Sequence, residues 1–139
     1  MQISKQTKIV LAANPASAAT TDVESSVIDT ANALGVRFLG TIATQAAGNT
    51  VKVQQGSLAN GSEMADLAGT ELVTTANNDA FAVDVYKPTK RYVRAVVTRG
   101  TSTAAGAIFA EVYGVRTEPP TNGTTVISES HVSPLEGTA

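Results

Sequence analysis

Apolar side chains along this chain recur mostly at every second position, the period of a strand with one buried face. Phe81, Val83 and Val85 share one side while Ala82, Asp84 and Tyr86 take the other. Val93, Ala95 and Val97 then alternate with Tyr92, Arg94, Val96 and Thr98, and Ile108, Ala110 and Val112 with Phe109, Glu111 and Tyr113. Pro88 cannot donate to a ladder, so Lys87 to Lys90 reads as a connection; the loop "GTSTAAG" (Gly100 to Gly106) reads as a second. Three consecutive strands on short polar links predict a meander.

The same period appears earlier. Ile9 to Ala13 predicts a strand closed by Asn14-Pro15, and Val23 to Ile28 a weaker one. Val36, Phe38, Gly40 and Ile42 alternate with polar or outward positions, "AAGN" (Ala46 to Asn49) follows, and Val51 and Val53 resume the pattern. Two strands across so short a link predict an antiparallel hairpin. Between Gly56 and Gly69 the period is lost. There Asn60 or Ser62 could cap a single helical turn near residues 62–68, with Glu63 and Asp66 placed well for its N-terminus. Leu72 to Thr75 predicts a brief strand ended by "NND". Recurrence at this spacing predicts an all-β antiparallel sandwich or barrel; a jelly-roll-like sandwich of roughly eight strands is the form expected by analogy with capsid-type folds.

From Val115 the pattern stops. "RTEPPTNGTTVISESHVSPLEGTA" holds three of the five prolines and little periodicity. The expected organisation is one sandwich domain over residues 1–114, with residues 1–20 as an N-terminal strand or arm and residues 115–139 as an extended C-terminal arm. Alone in water such a tail is flexible. It is expected to order by lying on a neighbouring subunit, "TVIS" (Thr125 to Ser128) adding a strand to a partner's sheet edge.

Composition narrows the function. A chain of 139 residues suits one domain. It has no cysteine, so neither disulfides nor thiolate metal sites are available. The net charge of -2 argues against a general nucleic-acid binder. The first residues give an apolar run too short for a signal peptide, and no run approaches the length of a membrane span, so the expectation is a soluble protein made in a cytoplasm.

Candidate chemistry is sparse. His131 is the only histidine and lies in the tail, away from any scaffold that could make it a triad member or ligand. No nucleotide, zinc-protease or calcium-loop motif occurs. Glu63 and Asp66, or Asp79 and Asp84, lack the contrasting environments that paired catalytic carboxylates need. The expectation is therefore no catalytic, cofactor-binding or metal site, and no cofactor. With no Trp, three Tyr and three Phe, a sugar-stacking platform is poorly supplied. What stands out is "YKPTKRYVRAVVTRG" (Tyr86 to Gly100), which carries five of the ten basic residues. A single-stranded nucleic-acid platform would need more stacking aromatics beside those charges, and long basic stems often only cover a sheet face. The preferred reading is a rigid positive corner that pairs with acidic groups on a protein partner. The expected interface is Lys87, Lys90, Arg91 and Arg94, with Arg116, Val126 and Ile127 from the arm.

From about Val27 to Gly114, "VKVQQGS" (Val51 to Ser57), "ADLAGTE" (Ala65 to Glu71) and "VYKPTKRYVRAVVTRGTSTAAGAIFAEVYG" (Val85 to Gly114) resemble small virion proteins of tailed bacteriophages that decorate or cement the capsid. The resemblance implies a β-sandwich on the capsid exterior, often trimeric, with the major capsid protein and further copies of itself as partners. It implies no enzymatic activity and neither nucleic acid nor membrane as a partner. Other minor virion components, such as a head-fibre base or head-to-tail connector subunit, share such patterns. A β-sandwich carbohydrate- or polymer-binding module is the alternative of another class.

Overall fold

The computed structural model describes residues 2–116, 119–133 and 135–137. After a 3-10 turn at Ile3–Lys5 come eleven strands: β1 Thr7–Ala13, β2 Ala16–Ala19, β3 Val23–Glu24, β4 Ile28–Asp29, β5 Gly35–Thr44, β6 Thr50–Gly56, β7 Ala65–Asp66, β8 Leu72–Val73, β9 Asp79–Tyr86, β10 Tyr92–Thr98 and β11 Thr103–Tyr113. They form two antiparallel sheets. One runs β1-β11-β5-β9, with β2 also on β11; the other runs β3-β10-β6-β7, with β4 also on β10 and β8 also on β6.

Three of these pairs are interrupted single strands. Asn14-Pro15 breaks β1 from β2, yet both lie along β11. Likewise β3 and β4 both edge β10, and β7 and β8 both edge β6. Merged, eight strands remain, with sequence orders 1-8-3-6 and 2-7-4-5 in the two sheets. That is the jelly-roll order.

The core lies between the sheets. Val36, Phe38 and Ile42 of β5 and Ile108, Ala110 and Val112 of β11 meet Val51 and Val53 of β6 and Val93, Ala95 and Val97 of β10, all buried. Phe81 of β9 stands opposite Gly40 and fills the inner space that a side chain there would need; a Cβ on Gly40 would sit 2.5 Å from the Phe81 ring.

Three local expectations fail. The Val36–Val53 stretch is not a hairpin: β5 and β6 belong to different sheets. Buried Asn49 explains why. Its Oδ1 accepts from the Gly100 amide and the Thr103 hydroxyl, both at 2.6 Å, so the β5–β6 link is tied to the β10–β11 link across the end of the sandwich. The meander fails likewise, since β10 leaves the sheet of β9 and β11. Alternation shows which face of a strand is buried, but not which sheet it joins. The helical turn near 62–68 is absent. Gly61 adopts a left-handed φ of 72°, the Asn60 carboxamide accepts from the Ser62 amide at 3.1 Å, and β7 pairs with Gln54 and Gln55. A segment this short cannot repay helix nucleation against such ties.

Candidate interaction surfaces

The basic corner is organised within the chain. Arg91 grips Asp29 with two parallel bonds, Nε to Oδ1 at 2.8 Å and Nη2 to Oδ2 at 2.7 Å, and its guanidinium lies 5.2 Å from the Tyr92 ring centre. The Arg91 guanidinium holds the Asp29 carboxyl below the usual range. Arg94 donates to Glu24 at 2.6 Å and to Gln54 at 2.7 Å, with its side chain only 16% exposed. Gln54 passes the chain on to Asp66 at 2.7 Å, and Asp66 accepts from Lys52 at 2.7 Å. The Lys52 bond lowers the Asp66 pKa, and the Asp66 bond raises that of Lys52. This polar lattice roofs Val96, an apolar side chain on the outer face of the six-stranded sheet that is nevertheless buried. Arg99 closes the other end of β10, donating to the carbonyls of Ser17, Thr21 and Thr103.

Lys87 and Lys90 sit differently. Lys87 has a left-handed φ of 49° and its ammonium lies 5.1 Å from the Tyr86 ring centre. Lys90 is exposed, with its backbone amide held by Gln55 at 3.2 Å. Thus of the four expected corner residues, the structure ties both guanidiniums to acidic partners of the same chain and turns the ammonium groups outward.

The arm residues lie elsewhere. The Arg116 amide donates to the Asn32 carbonyl at 3.0 Å, and the residue borders a cavity of about 290 Å³ with Lys8 and Pro119. The tail then touches β1: the Asn122 carboxamide accepts from the Ile9 amide and the Gly123 amide donates to the Ile9 carbonyl, both at 2.8 Å. Val126 is half-buried and lines a cavity with Ile9, Leu39 and Phe109, whereas Ile127 is fully exposed. His131 is exposed and 2.9 Å from Glu129.

The surface that strand alternation alone left unnoticed is the outer face of the five-stranded sheet. Register aligns its side chains in rows across β1, β11, β5 and β9. One row is Leu11, Phe109, Leu39 and Ala82; the next is Ile9, Glu111, Arg37 and Asp84. The first row is entirely apolar, and Phe109 remains 42% exposed. Two cavities of about 410 Å³ each meet at Leu39 and Phe109, forming a trough from Ile9 and Val126 at one end to Thr41, Ala80 and Ala107 at the other. Arg37 pairs with Glu111 in the charged row. Tyr113 reaches over Gly35 to donate to Asp84 at 2.8 Å, and burial with that bond pushes its pKa up to about 12. A signal for this face was present: Leu39 and Phe109 are large apolar residues at the outward parity of their strands.

Among the described residues no group of three or more His, Cys, Asp or Glu is placed to hold a metal ion, and no helix is long and apolar enough to cross a membrane.

No family model matches the sequence, and no curated protein matches it. The fold is similar to that in the crystal structure of PBSX exported protein XepA, with a TM-score of 0.56 and 17% identity. The likeness covers 100% of this chain and 45% of XepA, so the chain spans about half of that protein. At this identity the likeness is one of fold.

Proposed function

We propose that the chain is a structural component of a tailed-bacteriophage particle, a decoration protein that binds the capsid exterior across neighbouring capsomers. The carrying observation is the outer face of the five-stranded sheet, which leaves a row of apolar side chains partly exposed on an otherwise complete sandwich. Surfaces of this kind mark contacts with other proteins. The resemblance of Val51–Ser57, Ala65–Glu71 and Val85–Gly114 to capsid-decorating proteins supports the same reading, as does the fold shared with an exported protein.

In this role the protein does no chemistry. It is a clip whose ordered corner presents Lys87 and Lys90 to acidic groups of the major capsid protein, while its apolar face and arm engage further copies of itself, as a trimer. Modest contacts repeated by symmetry sum to strong attachment. A clip that fits only the mature lattice stabilises that lattice by mass action.

The test is cosedimentation of the purified chain with tailed-phage heads lacking it, followed by heating. Binding with later release of DNA on heating is expected. Heads that neither bind the chain nor gain heat resistance would overturn the decoration reading. Binding confined to the portal vertex or to fibres would transfer the protein to the other minor virion components, and binding to polysaccharide instead would favour the carbohydrate module.

A further inference from the structure

The apolar trough is only partly filled by its own chain. Val126 forms part of the wall at the end beside Ile9, Leu39 and Phe109, so an aliphatic side chain of the tail already borders the site. Beyond Val126 the tail turns away. Ser130 bonds to Gln2 at 2.6 Å and to Ser4 at 2.8 Å, residues that precede β1, whereas the unfilled end at Ala80 and Ala107 lies past the opposite end of the Ile9–Leu11 stretch. Past Ser130 the tail presents Val132 and Leu135 at 88% and 98% exposure.

We infer that the tail beyond Ser130 docks Val132 and Leu135 into the open end of this trough on a second copy of the chain. Three observations select that occupant. One aliphatic side chain of this same tail, Val126, already lines the trough, so the chemistry matches. Val132 and Leu135 are almost fully exposed, and burying them removes apolar surface from water, which favours docking.

Geometry then excludes the same chain. From Ser130 to Leu135 an extended strand reaches about 16 Å at roughly 3.3 Å per residue. The path from Thr7 to Ala13, which pairs with Ile108 beside the open end, takes about 20 Å at the same rise, and the tail would have to double back to follow it. A neighbouring copy needs no reversal. The contact is head-to-tail rather than self-facing, so it closes into a ring when the rotation between copies permits. The inference rests on the self-association named in the proposed function and deepens it by naming the contact, and it stands whether or not the chain binds capsids.

The absence of cysteine makes a direct test simple. A Leu135→Cys variant is mixed with an isotopically labelled Ala80→Cys variant and oxidised gently, and the products are weighed by mass spectrometry. A mixed disulfide between labelled and unlabelled chains is expected. It should be absent when Val73→Cys, on the far sheet, replaces Ala80→Cys. Equal yield with Val73→Cys, no mixed product, or ring closure within single chains of a Leu135→Cys/Ala80→Cys double variant would each overturn the inference. In parallel, sedimentation velocity should show the full chain self-associating and a Val132→Asp/Leu135→Asp variant monomeric. A full chain that is monomeric at every concentration would also overturn it.

Discussion

Asn49 is the residue on which the end of the sandwich depends. Besides accepting from Gly100 and Thr103, it donates to the Gln45 carboxamide at 3.0 Å, and Gln45 in turn bonds Thr74 at 2.7 Å. Asn49→Ala removes the shared acceptor of a buried hydroxyl and a backbone amide, at about 1–3 kcal/mol for each donor left unpaired. A lowered urea midpoint with unchanged slope is the expected signature. Gly40 offers a second residue-level test. Gly40→Ala drives a methyl group into the Phe81 ring and should cost about 1–3 kcal/mol by overpacking. Phe81→Ala should cost about 3–5 kcal/mol, and the double variant should cost less than the sum, because each change relieves the other. Strict additivity would show that the two do not share that space.

Titration acts at the same scale. Asp29, Asp66 and Asp79 all have folded pKa values below their unfolded ones, held there by Arg91, by Lys52 and by the amides of Thr75 and Ala76. Their contribution is complete above the unfolded value of about 3.9 and is lost as pH falls through the lowered folded values. Tyr113 has the opposite sign. With its folded pKa raised to about 12, stability falls as pH rises from the free phenol value of about 10. A Tyr113→Phe variant should lose that alkaline limb while keeping the acid one, as urea midpoints across the pH range would show.

Among the elements, β10 carries the decisive contrast. Its inner face is Val93, Ala95 and Val97; its outer face is a polar lattice laid over Val96. Arg91→Glu breaks a solvent-exposed surface pair and should leave stability little changed. Arg94→Glu sets a carboxylate beside Glu24 in a half-buried place and should cost about 1–3 kcal/mol. Reversing the pair with Glu24→Arg should recover part of that loss in thermal melts.

The sequence made β10 legible because both of its parities are informative. The same holds for β5, β9 and β11, where long runs with a two-residue period dictate a buried face. The sheet that each strand joins was not legible. That depends on Asn49 bonding across sequence separations of about fifty residues, which no local pattern reveals. The short edge strands β2, β3, β4 and β7 were hard to see because two to four residues cannot establish a period. The candidate surfaces follow the same logic: the basic corner was visible as a cluster, but its internal acids, Asp29 and Glu24, come from a distant segment. The apolar outer face required register, which aligns Leu11, Phe109, Leu39 and Ala82 only once the strands are paired.

At the scale of the molecule, the jelly roll provides two outer faces of opposite character. The six-stranded sheet is closed by charge pairs that satisfy one another. The five-stranded sheet remains open, with an apolar trough and a tail whose last aliphatic side chains find no cover on their own chain. A molecule built this way is complete as a fold and incomplete as a surface, which is the physical basis for assigning it a role in assembly. Electron cryomicroscopy of tailed-phage heads prepared with and without the chain tests that claim most directly. The account predicts added density outside the shell, bridging capsomers, with the outer face of the five-stranded sheet buried against a neighbour. Identical heads in both preparations, with the chain left free in solution, would contradict it.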